Sequence, residues 1–293
     1  VLVRASAAGV ERWDLAKRRR SLLGPAGAAA ALGPGPGGEQ ILVADGGTVQ
    51  ALGLDATPAW RHAVPSPVRA LAASPRPPHQ VALLLEGGAL ALLDPNSGAL
   101  TAQTTTGQLD GWPIWNGAAL VVAGPGGGEV FDGASLARRG ATPGIVEAPM
   151  TQADGDDLAL RSQDGNRLVL LRDGIEHAAI NSAALITAWA WGPDGLMFGT
   201  RDGTLEWWSR DGRNRQRVVK GHDSRVYDLT SRDGLAASID AAGIIRFWSR
   251  AGLLLFERRG AVGYSWITLA AGRLVLSSAP SAAEILTKAS SGQ

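Results

Sequence analysis

Apolar residues in this chain come in short runs of five to eight, such as QVALLL from Gln80, RLVLL from Arg167 and AGLLLF from Ala251, separated by glycine-containing polar breaks. Such runs are too short for helices and match the length of strands. Ten Asp-Gly dipeptides, beginning at Asp45, Asp110, Asp132, Asp154, Asp164, Asp173, Asp194, Asp202, Asp211 and Asp233, sit in the breaks. They supply the positive φ angles that tight hairpin turns require. The three runs quoted are apolar on consecutive residues instead of alternating, which predicts that both faces of their sheets are covered. The chain reads as nearly all β.

The pattern repeats. ITAWAWGPDGLMFGTRDGTLEWWSRDG, from Ile186, aligns with RVYDLTSRDGLAASIDAAGIIRFWSRAG, from Arg225, and Trp208 and Trp248 are 40 residues apart. Val68, Ile186, Val226 and Trp266 open equivalent runs, with 40 residues between the second and third and again between the third and fourth. Four short antiparallel strands per period, apolar on both faces, describe the blades of a β-propeller. A solenoid would need a shorter period or helices. Dividing 293 residues by the period gives 7.3, so we read seven four-stranded blades, with eight as the other count. The whole chain, 1–293, is read as one propeller domain. LVRASAAGVERWDLAKR supplies a second and third strand and WITLAAGRLVLSSAPSAAEILTKA strands one to three. We expect the N- and C-terminal strands to close the ring in one sheet, which would remove an open edge.

These residues resemble the WD-repeat family. In GHDSRVYDLTSRDGLAASIDAAGIIRFWS, Gly221 and His222 precede Trp248, the His by 26 residues, as the family's Gly-His and Trp-Asp pairs do. GTRDGTLEWWS, from Gly199, matches the hairpin and third strand, and GVERWDLAKR keeps a literal Trp13-Asp14 pair. The resemblance implies a structural hydrogen-bonded group of His222, Ser238, Asp240 and Trp248. Ala242 stands where a hairpin Asp is expected, and Ser182 where the preceding repeat would carry its His. LALLDPNSGALT, from Leu90, and VQALGLDATPAW, from Val49, are similar to the Trp-bearing repeats of quinoprotein-like propellers.

Charge and composition narrow the function. Lys and Arg number 28 against 27 Asp and Glu, a formal net charge of +1, so no global field recruits nucleic acid or an anionic membrane. The absence of cysteine excludes disulfides, thiolate metal clusters and a cysteine nucleophile. No apolar run approaches the roughly 20 residues of a membrane-spanning helix. VLVRASAAGVERWD has neither an initiator Met nor a secretory pattern, so Val1 is expected to open a trimmed or excised domain. Cytoplasmic residence follows, with the periplasm the alternative if a signal peptide was removed. The Ala, Gly and Arg richness is compatible with a bacterial source.

Catalytic signatures are missing. His62, His79, His177 and His222 show no metal-ligand spacing. The glycine runs at Gly33 and Gly124 lack Gly-Lys-Ser/Thr and read as hairpins, and no nucleophile elbow occurs. Asp154, Asp156 and Asp157 read as a solvated turn. Two basic runs, Lys17 to Arg20 and Arg210 to Lys220, read as outer strands protected by charge. No catalytic residue, metal or cofactor is assigned.

Aromatic and arginine side chains remain as the interaction signal. Trp112 and Trp115 in DGWPIWNG interrupt the repeat near a strand entrance, and Arg69, Arg201, Arg225 and Tyr227 occupy comparable entrance or hairpin positions. Trp, Tyr and Arg dominate protein interfaces. The sequence is therefore read as a non-catalytic scaffold that binds protein or peptide partners, a monomeric propeller within a larger assembly or chain. The alternatives are a small-ligand or enzymatic propeller using a central channel, and a quinoprotein-like envelope assembly factor.

Overall fold

Glycine turns and apolar runs become hairpins throughout the computed structural model, which describes residues 2–287 except 7–8, 15–16, 18, 26–27, 78, 125–126, 143–151, 155, 261–265, 271–272 and 279–281. Among the described residues there are thirty strands and no helix. The first sheet holds β1 (Leu2–Ser6), β2 (Gly9–Asp14) and β3 (Arg19–Gly24). The second holds β4 (Ala29–Gly35), β5 (Gly38–Asp45), β6 (Thr48–Gly53) and β7 (Pro58–Ala63). The third holds β8 (Val68–Ala73), β9 (Val81–Leu85), β10 (Ala89–Leu93) and β11 (Leu100–Thr105). In the fourth are β12 (Trp112–Asn116), β13 (Ala119–Gly124), β14 (Gly127–Asp132) and β15 (Arg138–Thr142). The fifth comprises β16 (Gln152–Asp154), β17 (Asp157–Arg161), β18 (Arg167–Arg172) and β19 (Ile175–Asn181). The sixth comprises β20 (Ile186–Gly192), β21 (Gly195–Thr200), β22 (Thr204–Ser209) and β23 (Arg215–Lys220). The seventh has β24 (Val226–Arg232), β25 (Leu235–Asp240), β26 (Ile244–Ser249) and β27 (Leu254–Arg259), and the eighth β28 (Trp266–Ala270), β29 (Arg273–Ser278) and β30 (Ala282–Thr287).

Among the described residues the strands form six four-stranded sheets and two three-stranded ones at the ends of the chain. The terminal strands form sheets of three, β1–β3 at one end of the chain and β28–β30 at the other. Glu11-x-Trp13 on β2 matches Glu206-x-Trp208 on the third strand β22, so β1–β3 hold second to fourth positions. Trp266 opens β28 as Val226 opens β24, so β28–β30 hold first to third.

By packing density the chain divides into two compact units, residues 1–158 with 171–176, and residues 159–170 with 177–293. The first four sheets belong to the first unit and the last three to the second, while the fifth contributes residues to both.

Inside the first unit, β9 shows why consecutive apolar residues are required. Ala82 and Leu84 pack with Trp115, Leu120 and Phe131 of the fourth sheet. Val81, Leu83 and Leu85 pack with Leu42, Val49 and Ala51 of the second. The period of two persists, but both phases face a core. Burial of each such leucine contributes about 1.5–3 kcal/mol. Burial falls outward: β9 is buried on all five residues, whereas β11, the outer strand, has none buried.

AGLLLF departs from the covered-face expectation. Leu253 to Phe256 lie at and before the start of β27, the last strand in its sheet, and are 49–58% exposed. An outer strand has no further strand beyond it to bury its side chains, so apolar content alone does not set burial.

Candidate interaction site

The first strands of three sheets carry a register shift at one position. Val68 pairs with Leu85 and Ala70 with Leu84, so Arg69 is the extra residue of β8. Tyr227 is the extra residue of β24, between Val226, paired with Asp240, and Asp228, paired with Ile239. Thr187 takes the same place in β20. A bulge of this kind re-aims one side chain. Arg69 and Tyr227 are exposed, whereas Thr187 is buried, its hydroxyl donating to Val226 O at 2.6 Å.

In the first unit, Arg69 forms an ion pair with Asp110, on the turn that leads into β12. Trp112, the first residue of β12, is 41% exposed, and Leu109 in the same turn is also exposed. Trp115 is not part of this surface. It is buried, its Nε1–H donates to Ala72 O at 3.1 Å, and its ring packs against Leu84 and Leu120. Residues three apart on a strand point to opposite faces, so Trp112 and Trp115 cannot share a surface.

In the second unit, the Arg225 guanidinium stacks over the Tyr227 ring, 5.5 Å from its centroid, and both are exposed. Arg201 is exposed on the turn between β21 and β22, its N–H donating to Leu185 O. Asp228, beside Tyr227, is the site residue that the sequence reading missed. Its Oδ2 accepts from Ile267 N and its Oδ1 from Leu229 N, both at 2.8 Å. Burial pushes its carboxyl up to about 7, against the effect of those two hydrogen bonds. The one available signal was an Asp immediately after the bulge in the otherwise apolar opening of VYDL.

His222, Ser238, Asp240 and Trp248 meet in the seventh sheet, all four buried. Trp248 Nε1–H donates to Ser238 Oγ at 2.8 Å, and Ser238 Oγ lies 2.6 Å from His222 Nε2. His222 Nδ1 is 3.3 Å from Asp240 Oδ2. An ionised carboxylate can only accept, so Asp240 facing Nδ1 favours the imidazole proton there, and the serine hydroxyl, accepting from the indole, then donates to Nε2. Burial holds His222 below the usual histidine range, with Asp240 opposing. Asp240 also accepts from Ala242 N at 3.0 Å and Ile244 N at 2.8 Å, fixing the turn where Ala242 replaces an acidic residue.

A second arrangement recurs between third and fourth strands. Trp208 Nε1–H donates to Glu206 at 3.0 Å and Trp13 Nε1–H to Glu11 at 3.1 Å. An arginine nine residues beyond each glutamate completes the pair: Arg20 with Glu11, Arg138 with Glu129 at 3.0 Å, Arg215 with Glu206 at 3.9 Å. The seventh sheet swaps the signs, with Arg246 and Glu257 at 2.7 Å. The basic runs are thereby accounted for: Arg20 and Arg215 lie on outer strands, Lys220 pairs with Asp202, and Arg18 lies outside the described residues. Asp156 pairs with Arg76 at 2.6 Å and Asp157 with Arg172 at 2.7 Å, while the Asp154 side chain lies outside the described residues. His62 and His177 lie on the outer strands β7 and β19, and His79 is exposed in a loop.

No family model matches the chain. No curated protein matches it in sequence. Similar solved structures include BamB from Moraxella catarrhalis, with a TM-score of 0.67 at 16% identity over 99% of this chain and 92% of that one. The computationally designed Ika8 protein gives 0.75 at 16% identity, covering 98% and 92%. A chain of the mitotic checkpoint complex gives 0.66 at 15% identity, covering 98% and 91%. The fold is a β-propeller. At these identities the likeness fixes the propeller architecture, and function rests on the residues the propeller exposes.

Proposed function

We propose that this propeller is a non-catalytic scaffold that binds protein or peptide partners through Arg69, Trp112, Arg201, Arg225 and Tyr227. One observation carries the reading: large aromatic side chains are held outside the packed sheets next to fixed guanidinium groups. Arg225 is stacked on Tyr227, and Arg69 is tied to Asp110 two residues before Trp112. Trp, Tyr and Arg dominate binding energy, and side chains already held in place lose less entropy on docking. The buried ionisable groups, by contrast, are used within the sheets. His222 serves the seventh sheet, Glu206 the sixth and Asp157 an ion pair.

Two of the similar structures support the reading in different ways. A computationally designed protein has this architecture. Another is part of a checkpoint assembly, a propeller seated in a protein complex. Among the described residues no helix is long and apolar enough to cross a membrane. On the sequence reading we propose a monomeric module of a larger assembly, resident in the cytoplasm, or in the periplasm if a signal peptide was removed.

Capture of partners from a lysate by the immobilised chain tests this. Trp112→Ala or the Arg225→Ala/Tyr227→Ala pair should reduce recovery of a specific protein at least tenfold while lowering the melting temperature by no more than roughly 4 °C. Equal recovery by all variants, or no protein while a small molecule stabilises the fold, contradicts it.

A further inference from the structure

Charge is nearly balanced over the chain, 28 Lys and Arg against 27 Asp and Glu, so a local excess is charge open to a partner. In the second unit such an excess lies where β20 and β24 begin. The sixth and seventh sheets close there in the same way, with Arg201 N–H donating to Leu185 O and Ala241 N–H to Arg225 O. The two sheets also pack together at this end. The Thr187 hydroxyl donates to Val226 O at 2.6 Å. A Cβ on Gly199 would lie 2.7 Å from the Val226 side chain, and one on Gly203 would lie 2.8 Å from Ser224 O, so each glycine admits a close approach. Arg201 stands midway between those two glycines, and Arg225 between Ser224 and Val226. The backbones of the two exposed arginines are therefore neighbours.

The surrounding acids are occupied, with one exception. Asp202 is paired with Lys220 at 3.8 Å and accepts from the hydroxyls of Thr200 and Thr204. Asp240 is buried against His222. Asp164, in the turn that ends β17, accepts from Ser162 and from Asn166 N. Asp223 is exposed two residues before Arg225 and is the one opposing charge left at this end among the described residues. No carboxylate pairs with Arg201 or Arg225 among those residues. Two guanidinium groups thus stand against one carboxylate.

The Arg225 guanidinium lies over the Tyr227 ring, 5.5 Å from its centroid. A cation–π contact leaves the N–H donors of the guanidinium unused. A carboxylate is the planar acceptor that this fork matches, through two parallel N–H···O bonds. The exposed Tyr227 ring beside it offers apolar surface to the next residue of the same segment. A nucleic acid strand fits less well, because it is held by rows of cations and Asp223 interrupts this one.

We propose that this end of the sixth and seventh sheets receives an acidic segment of a partner protein, with a carboxylate bound by Arg225 and Arg201 and an apolar side chain set on Tyr227. This rests on the scaffold reading and names the partner's chemistry at one of its two surfaces.

The test uses the full chain and a labelled peptide of alternating glutamate and leucine, with a counterpart that carries glutamine at every glutamate. In fluorescence anisotropy at low salt the glutamate peptide should bind at least about tenfold tighter. Arg225→Gln and Arg201→Gln should each weaken it by roughly threefold or more, and Asp223→Asn should tighten it by about twofold or more. Arg232→Gln removes the same charge at the other end of β24 and should leave affinity within about twofold. Equal binding of the two peptides, no binding, no gain with Asp223→Asn, or an equal loss with Arg232→Gln would each overturn the proposal. So would a phosphoserine peptide or an oligonucleotide that binds where the glutamate peptide does not. The scaffold reading is scored apart from this, by partner capture. Capture lost with Arg225→Ala/Tyr227→Ala but without any preference for glutamate removes the acidic partner and leaves the scaffold standing.

Discussion

Trp248 and His222 share one hydroxyl: the indole N–H donates to Ser238 Oγ at 2.8 Å, and that oxygen lies 2.6 Å from His222 Nε2. Both rings are buried, so neither can turn to water for a replacement partner. Ser238→Ala should therefore destabilise by about 2–4 kcal/mol, since it strands a buried donor and a buried acceptor together. Urea denaturation measures this; a loss below about 0.5 kcal/mol would show that the three groups are not coupled in the folded state.

Trp112 and Trp115 should behave as opposites. Trp115→Ala empties part of the core between the third and fourth sheets and should cost about 3–5 kcal/mol. Trp112→Ala removes a side chain that is 41% exposed and should cost less than about 1 kcal/mol. Thermal melts of the two variants check the contrast.

That contrast shows what could be read from the sequence and what could not. The 40-residue period, the placement of Val68, Ile186 and Val226, and the meeting of His222, Ser238, Asp240 and Trp248 all depend on local spacing, which is written in the chain. The odd spacing of Trp112 and Trp115 already implied opposite faces. Glu206-x-Trp208 with Arg215 nine residues beyond the glutamate was equally legible and repeats in Glu11, Trp13 and Arg20. Burial was harder to read. LLLF has the apolar content of a core strand, and only its place at the end of the strand order exposes it. The bulges at Arg69 and Tyr227 depend on pairing register, and Asp228 on the N–H of Ile267 in another sheet.

Asp228 sets a pH dependence with a defined sign. Its carboxyl is pushed up from 3.8 to about 7 in the folded chain, so folding takes up a proton between those values. The stability it contributes is full below about pH 4 and is lost as pH rises through about 7, on the order of a few kcal/mol in total. Asp132 works in the other direction: hydrogen bonds from Ser135 hold its carboxyl down at about 2, so its contribution is present above 3.8 and lost as pH falls through 2. Asp228→Asn should remove the fall in stability between pH 4 and 7 in urea titrations. An unchanged profile would show that another group causes it.

Asn116 ties the fourth sheet to the part of the fifth that belongs to the first unit. Its Nδ2 donates to Asp156 O and to Leu171 O, and its Oδ1 accepts from Gly174 N at 2.7 Å, with no exposed surface. Asn116→Ala should cost about 2–3 kcal/mol. It should also raise amide exchange at Gly174, which exchange mass spectrometry would detect.

The central claim is that partners dock on the exposed entrance residues. Amide exchange of the chain, alone and in complex with a captured partner, tests it most directly. The account predicts slowed exchange in the peptide spanning 109–114, lost with Trp112→Ala, or in that spanning 224–229, lost with Arg225→Ala/Tyr227→Ala. Binding that leaves both segments unprotected would contradict it.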